Sequence, residues 1–228
     1  MLNMEILPDP NAVARHAAAC MARLAREAID QRGRFVAAIS GGDTPWPMLR
    51  RFAATPLPWS QVHIVQVDER VAPPGSPERN LTQLRASLRG CGARIYPMPV
   101  DETPLTAAAA RYAALLRELA GTPPVLDAVQ LDLDAEGHTA SLVPADPALA
   151  VDDVEVVVTG RYAGHIRMTL TYPVLNRARR VLWIVTGTAK SGVLGRFFDG
   201  HDDTLPANRV ERDHALLLTD REAAASYI

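Results

Sequence analysis

A histidine that could act as a base lies in the stretch 131–142. The stretch starts with apolar residues, continues through carboxylates, reaches Gly137 and then presents His138 beside hydroxyl residues. Since the unperturbed pKa of histidine is near ~6.5, His138 is the side chain best matched to taking a proton from water near neutral pH. We therefore expect a general base just after a predicted strand.

A glycine-rich turn at 40–45 follows the apolar run 35–39, whose lack of alternation is typical of a parallel strand buried on both faces. The glycines let the backbone bend sharply, and Asp43 or Thr44 can cap the helix expected over 45–53. A helix N-terminus with free amides, at the carboxyl end of a parallel strand, is a natural phosphate site. The residues also allow a turn that only joins strand to helix.

A charged triplet, Asp68, Glu69 and Arg70, follows the next predicted strand, 62–67. In an α/β fold the carboxyl ends of the strands form the face where ligands bind, so these side chains are candidates for a ligand site. Taken alone, the triplet is more typical of a solvated loop.

Two further helix starts carry polar residues. Asn80 is expected to cap a helix that runs to about Leu88. The run 181–186 is the clearest buried strand in the sequence, and Lys190 follows it at the start of a helix that runs to about Phe198. Because a helix N-terminus favours anions, Lys190 adds to the expected anion site.

The remaining pattern predicts the fold. Apolar residues recur at intervals of three and four over 10–31, as in an amphipathic helix. Further predicted elements are strands at 95–96, 125–133, 154–159, 167–171 and 215–218, a helix at 105–119, and a short C-terminal helix capped by Thr219 or Asp220. Strands and helices alternate throughout, which predicts one α/β domain over residues 1–228, with a doubly wound, mostly parallel sheet and helices on both faces.

Composition excludes several classes of partner. The formal net charge of -2 gives no overall attraction to nucleic acid or to anionic membranes, so an anionic ligand needs a local cationic pocket. No run approaches the ~20 apolar residues of a membrane span, and the first residues do not resemble a secretory signal. Cys20 and Cys91 lack metal-ligand or redox spacing. We expect a cytoplasmic protein, a monomer or small homo-oligomer, that binds neither nucleic acid nor membrane.

Five groups of residues together resemble the motifs of the 6-phosphogluconolactonase family, in that family's order and spacing over nearly the whole chain. They are 40–45, 67–71 with Asn80, 137–142 with Pro144, 167–170 and 186–190. The resemblance implies the fold shared with glucosamine-6-phosphate deaminase and ribose-5-phosphate isomerase. It also implies hydrolysis of 6-phosphoglucono-1,5-lactone in the pentose phosphate pathway, without a cofactor.

The same resemblance implies roles for individual residues. His138 would be the general base, with Glu136 as its partner. The residues that would bind the substrate and its phosphate are Gly41, Gly42, Asp43, Thr44, Asp68, Arg70, Asn80, Arg167 and Lys190. No metal ligand is implied.

The chain departs from the family pattern Gly-x-Gly-x-Asp-Gly-His, because Asp132, Asp134 and Glu136 replace the two glycines and the aspartate. Glu136 keeps the charge and adds one methylene. An ionised Asp132 or Asp134 at ~8 Å from a phosphate charge would cost roughly 2 kcal/mol at an effective dielectric of ~20. These carboxylates could point away from the pocket, pair with arginines, or weaken the reaction.

The same departure raises one alternative chemistry. In an extended chain Asp132, Asp134, Glu136 and His138 would project from one face and could bind a divalent cation. We expect instead that Gly137 turns the chain first and separates His138 from the carboxylates. Two alternative functions also stay open, a sugar-phosphate isomerase or deaminase on the same fold and a non-catalytic sugar-phosphate binding protein.

Overall fold

The computed structural model describes residues 2–227, and its strands form two sheets. In chain order the strands are β1 (Asn3–Leu7), β2 (Phe35–Ile39), β3 (Val62–Gln66), β4 (Asp68–Arg70), β5 (Arg94–Tyr96), β6 (Ala128–Leu131), β7 (Val156–Val158), β8 (Arg167–Leu170), β9 (Val181–Val185) and β10 (Ala215–Asp220). Seven form one sheet in the order β1-β10-β9-β6-β2-β3-β5, with all neighbours parallel. A small antiparallel sheet has the order β4-β8-β7.

Helices cover both faces of the large sheet. They are α1 (Pro10–Arg32), α2 (Pro45–Ala53), α3 (Asn80–Ser87), α4 (Leu105–Ala120), α5 (Tyr172–Asn176) and α6 (Ser191–Asp199). One hydrophobic cluster includes buried residues of α1, α2 and α3, and the other includes those of α4, α5 and α6. Strands β2 and β9 are buried at every position, as expected for parallel strands covered on both sides. The predicted fold class is confirmed. Among the described residues, no helix is long and apolar enough to cross a bilayer.

The charged triplet forms β4 rather than a solvated loop. The chain leaves β3 at Val67 and pairs at once with β8, so that Asp68 lies opposite Thr169 and Arg70 lies opposite Arg167. Asp68 is only 3% exposed, because β8 covers it. The small sheet therefore holds charged side chains at the carboxyl end of the large one.

Relative to the sequence prediction, the structure adds the strands β1 and β4 and the short helix α5, and it lacks the predicted C-terminal helix. Strand β1 pairs with β10 at the edge of the large sheet, and its mostly half-exposed residues give no buried apolar run. The predicted C-terminal helix is wrong, because only a short 3-10 turn, Ala225–Tyr227, follows. Asp220 ends β10, and its carboxylate accepts hydrogen bonds from the N–H groups of Gly187 and Ala223.

Candidate active site

His138 belongs to a closed turn that follows β6. The Asp134 N–H donates to the carbonyl of His138 (3.0 Å), and the Gly137 N–H donates to the carbonyl of Asp134 (3.0 Å). Gly137 has a φ of +86°, and a Cβ there would overlap Cδ2 of Leu205, so the turn requires glycine. The prediction that the chain turns at Gly137 is confirmed, but the expected separation of His138 from the carboxylates is wrong, because the turn places Nδ1 of His138 3.4 Å from Oδ1 of Asp134.

The imidazole of His138 is buried, with the residue 8% exposed. Its Nδ1 lies 3.4 Å from Oδ1 of Asp134 and has no closer polar partner among the described residues. The Tyr162 ring packs against the imidazole in a T-shaped arrangement, with 5.2 Å between ring centroids. Burial lowers the pKa of His138 below 6.5, and the charge of Asp134 opposes this shift. The imidazole is therefore neutral near pH 7 and able to accept a proton.

Glu136 has a different partner. Its exposed carboxylate accepts a hydrogen bond of 2.7 Å from the Tyr162 hydroxyl, and this contact is the main reason that the pKa of Tyr162 rises to about 12. No hydrogen bond joins the described side chains of Glu136 and His138, although a polar atom of each lies within 4.8 Å of the other. The carboxylate 3.4 Å from the imidazole is that of Asp134, which the sequence left without a role.

Three groups of this turn are suited to a divalent cation. One ligand atom each from Asp134, Glu136 and His138 lies within 4.8 Å of the others. Carboxylate and imidazole donors suit cations such as Zn²⁺ or Mn²⁺. Asp132 is not in this group, because a turn rather than an extended strand brings the three together.

Two arginines lie opposite each other beside the turn. Arg70 on β4 is the cross-strand partner of Arg167 on β8, and both line a cleft of about 100 Å³ with His138. Each has a buried Nε without a hydrogen-bond partner among the described residues. The Arg167 guanidinium lies 5.1 Å from the ring centroid of Tyr162, and burial lowers the pKa of Arg167. Because like charges at paired positions repel, this arrangement favours a bound anion.

Asp68 supports the wall of this cleft. Its Oδ2 accepts a hydrogen bond from Oγ of Ser141 at 2.6 Å, and its Oδ1 accepts from Nδ2 of Asn80 at 3.2 Å. Asn80 is the first residue of α3 and not its cap, a position taken by Arg79. The predicted cap is wrong because the Asn80 side chain faces Asp68 and Gly41, where a Cβ would overlap its amide.

The glycine-rich turn lies at the carboxyl end of β2, as predicted. Gly42 has a φ of +89°, and the N–H groups of Gly41 and Gly42 have no hydrogen-bond partner among residues 2–227. Thr44 occupies the N-cap position of α2 without a side-chain capping bond, so the cap predicted for Asp43 or Thr44 is absent. Two unpaired amides at this turn suit the oxygen atoms of an anion.

The Asp132 carboxylate points at the glycine-rich turn. Its Oδ2 lies 2.9 Å from the position that a Cβ on Gly42 would take, and its Oδ1 accepts a hydrogen bond from the Leu133 N–H at 2.8 Å. Burial raises the pKa of Asp132 to about 6, and Lys190 opposes this shift. Asp132 and Asp134 both line the cleft, and neither forms an ion pair with an arginine in the described chain. Two of the outcomes considered from sequence, carboxylates pointing away or paired with arginine, are therefore wrong.

Lys190 lies beyond Asp132, in a neighbouring cavity of about 440 Å³ that Asp43 and Thr44 also line. Its ammonium group donates to the carbonyl of Leu133. Gly42, Asp132 and Asp134 line both cavities, whereas Lys190 lines only the second and the two arginines line only the first. The predicted phosphate-binding cations are thus divided between two adjoining spaces.

Most of the predicted site residues meet at these two cavities. The cleft is lined by Gly41, Gly42, Asp68, Arg70, His138 and Arg167, whereas Asp43, Thr44 and Lys190 line the neighbouring cavity. Asn80 lies behind the cleft wall, and Glu136 is exposed at its edge. Sequence reasoning missed Ser141 and Tyr162. Ser141 stands in the recognised stretch, but its link to Asp68 depends on a contact 73 residues away.

Comparisons with known proteins agree with one another. A profile described as glucosamine-6-phosphate isomerases/6-phosphogluconolactonase matches residues 8–219. A 6-phosphogluconolactonase of Nostoc sp. is 33% identical over 233 residues, or 97% of each chain. One from Synechocystis sp. is 32% identical over 231 residues, or 96% of each chain. A solved structure described as devB protein is 28% identical and has a TM-score of 0.86, with 100% of both chains covered.

Proposed function

The chain belongs to the family of glucosamine-6-phosphate isomerases and 6-phosphogluconolactonases, and we propose that it is a lactonase with His138 as its general base. It hydrolyses 6-phospho-D-glucono-1,5-lactone to 6-phospho-D-gluconate, a carboxylic ester hydrolysis in the oxidative pentose phosphate pathway. Relatives named 6-phosphogluconolactonase that match nearly the whole chain support this reaction over an isomerase or deaminase reaction.

The observation that carries the proposed mechanism is the buried, neutral imidazole of His138 beside two arginines with unpaired Nε atoms. His138 takes a proton from water while the water oxygen bonds to the lactone carbonyl carbon. The carbonyl oxygen becomes an oxyanion, which Arg167 stabilises. The ring C–O bond then breaks, and the leaving oxygen receives the proton from His138.

The phosphate binds through charges and amides around the same cleft. Arg70 supplies a cation on the β4 side, and the unpaired N–H groups of Gly41 and Gly42 supply donors on the β2 side. Lys190, Asp43 and Thr44 complete the binding side from the neighbouring cavity.

Three further residues support the site. Asp68 and Asn80 hold the cleft wall, because Nδ2 of Asn80 donates hydrogen bonds to the carbonyl and to Oδ1 of Asp68. Glu136 stays in the proposed site because its carboxylate lies within 4.8 Å of the imidazole and accepts a hydrogen bond from Tyr162, whose ring packs against His138.

We also propose a cellular location, an assembly state and the range of partners. We assign the protein to the cytoplasm, as a monomer or small homo-oligomer that binds neither nucleic acid nor membrane. The net charge of -2 supports the absence of nucleic-acid binding, and two free thiols, Cys20 and Cys91, are compatible with a reducing compartment.

Lactone hydrolysis, followed at a pH low enough to suppress the spontaneous reaction, tests the function. Wild-type protein should exceed the background rate, and His138→Ala should lose roughly 100-fold or more in kcat, as expected for a missing general base. His165→Ala is the matched control, because that imidazole contacts Glu78 outside the cleft. Wild-type and His138→Ala rates equal to the background would rule the proposal out. Ammonia release from an amino sugar phosphate would indicate the deaminase, and tight 6-phosphogluconate binding without turnover would indicate a binding protein.

A further inference from the structure

The carboxylates of Asp134 and Glu136, both near His138, contact different groups. Oδ1 of Asp134 lies 3.4 Å from Nδ1 of His138, whereas Glu136 directs its carboxylate to the hydroxyl of Tyr162 at 2.7 Å. Nδ1 is a buried nitrogen without a hydrogen-bond partner among the described residues. Asp134 is thus the carboxylate placed to satisfy it.

The backbone holds the Asp134 carboxylate in this position. Two hydrogen bonds close the turn, from the Asp134 N–H to the His138 carbonyl and from the Gly137 N–H to the Asp134 carbonyl, both of 3.0 Å. Oδ1 of Asp134 also accepts a hydrogen bond of 2.8 Å from the Glu136 N–H. The same oxygen therefore faces both the turn amide and the imidazole, and rotation of the side chain would break a hydrogen bond.

Glu136 forms its hydrogen bond with an aromatic side chain rather than with the imidazole, although its charge also acts on His138. The Tyr162 ring meets the imidazole edge-on at 5.2 Å between centroids and lies beneath the Arg167 guanidinium at 5.1 Å. The hydrogen bond from Tyr162 to Glu136 holds this ring beside His138 and Arg167. The Glu136 carboxylate therefore holds the Tyr162 ring in place and does not accept the Nδ1 proton of His138.

We infer that Asp134 is the positioning residue for His138, accepting the proton of Nδ1, while Glu136 positions Tyr162. This inference rests on the proposed function. The Nδ1–H tautomer leaves Nε2 to take the proton from water, and the Asp134 carboxylate stabilises the imidazolium until that proton passes to the leaving oxygen. A separation of 3.4 Å becomes a hydrogen bond by a small movement when substrate binds.

The pH profile of kcat/KM distinguishes a positioning role of Asp134 from a role in packing alone. The charges that act on His138 are Asp134 and Glu136 on its own turn, Asp68 on β4 and Arg167 on β8. Asp134 is the strongest of the groups that favour the protonated imidazole. Its removal should move the acid limb of kcat/KM to lower pH, whereas a packing defect would lower the rate without moving the limb.

The experiment compares Asp134→Asn and Asp134→Gly with Glu136→Gln, Tyr162→Phe and their double variant, assayed with a chelator present. Asp134→Asn should lose roughly 10- to 100-fold in kcat with little change in KM, since second partners of functional histidines have effects of that size. Glu136→Gln and Tyr162→Phe should lose similar amounts of kcat, and Glu136→Gln should move the acid limb less than Asp134→Asn does, because Glu136 acts more weakly on His138 than Asp134. Their double variant should be no worse than either alone. The exposed Asp30→Asn controls for the loss of one charge.

A larger kcat loss and limb shift in Glu136→Gln than in Asp134→Asn would overturn the inference. An inactive wild-type protein would instead contradict the proposed function. Nitrogen NMR of labelled histidine separates the two, because the inference requires a protonated Nδ1 on His138 and a lower imidazole pKa in Asp134→Asn, with or without turnover. If the Asp134 variants fail to fold, the wild-type tautomer alone decides: a proton on Nε2 would refute the inference.

Discussion

Arg70 and Arg167 face each other across two antiparallel strands, and each has a buried Nε with no hydrogen-bond partner in residues 2–227. Opposed like charges destabilise the empty protein, so an anion that binds both should stabilise it. The cleft is therefore most stable when it holds an anion.

The first prediction concerns this stabilisation. At 6-phosphogluconate concentrations of ~100 times the Kd, the free energy of unfolding should rise by about 2.7 kcal/mol. Arg167→Met should lose most of this rise, whereas the exposed Arg26→Met should keep it. Thermal unfolding with and without the ligand measures both. An equal rise in Arg167→Met and wild type would show that Arg167 does not contact the anion.

The second prediction concerns Asp132 and substrate affinity. As the pH rises through about 6, Asp132 ionises beside Gly42 and repels the substrate phosphate, so KM should increase. A repulsion of roughly 2 kcal/mol corresponds to about thirtyfold. Because the phosphate also titrates near pH ~6, the measurement compares KM between pH 5 and 8 for wild type and Asp132→Asn. Parallel KM profiles for the two proteins would contradict a role for Asp132.

The third prediction concerns Asp132 and stability. Its pKa in the folded protein, about 6, exceeds the ordinary value of 3.8, so folding favours the protonated form. The associated stability is present below pH 3.8 and is lost as the pH rises through about 6. Asp132→Asn should therefore gain about 2 kcal/mol over wild type between pH 4 and pH 8, because part of the full difference is already present at pH 4. Urea unfolding at both pH values tests this, and a gain that does not change with pH would be inconsistent with ionisation.

The fourth prediction concerns Gly137. Gly137→Ala places a Cβ against Leu205 at a φ of +86°, so it should cost roughly 2–4 kcal/mol through overlap and backbone strain together. Gly75→Ala has a similar φ of +80° with open space around it, and should cost only about 1–2 kcal/mol. Adding Leu205→Ala should relieve part of the Gly137→Ala effect in a double variant. Additive losses would show that the two sites do not interact.

The fifth prediction concerns metal ions. The proposed base takes a proton without a Lewis acid, so exhaustive chelation should leave kcat unchanged. Activity and metal content measured before and after chelation provide the test. A loss of activity that a divalent cation restores would point to the donors of Asp134, Glu136 and His138 as its site.

Much of the fold follows from the sequence because buried parallel strands give continuous apolar runs. Strands β2 and β9 are of this kind and were predicted with bounds within one residue. Strand β1 lies at a sheet edge, with no buried apolar run to identify it. Strand β4 consists of charged residues, whose burial depends on β8, nearly a hundred residues later. Such pairings cannot be inferred from local pattern.

The site was predicted less completely than the fold. Motif spacing identified His138 and the arginines of the cleft. It could not show which carboxylate faces the imidazole, because a closed turn brings Asp134 to Nδ1 while sequence proximity favours Glu136. Tyr162 comes from a distant loop without a motif, and only the folded chain brings it to Glu136.

The pairing of β1 with β10 has a consequence for biosynthesis. Residues 3–7 leave the ribosome first among the strands, yet their partner in the sheet is formed by residues 215–220. The edge of the sheet beside β9 therefore stays open until residue 220 has been translated and released from the exit tunnel. During that interval both the first strand and the unpaired side of β9 are exposed to other nascent chains, so this is the step at which a chaperone would be most needed.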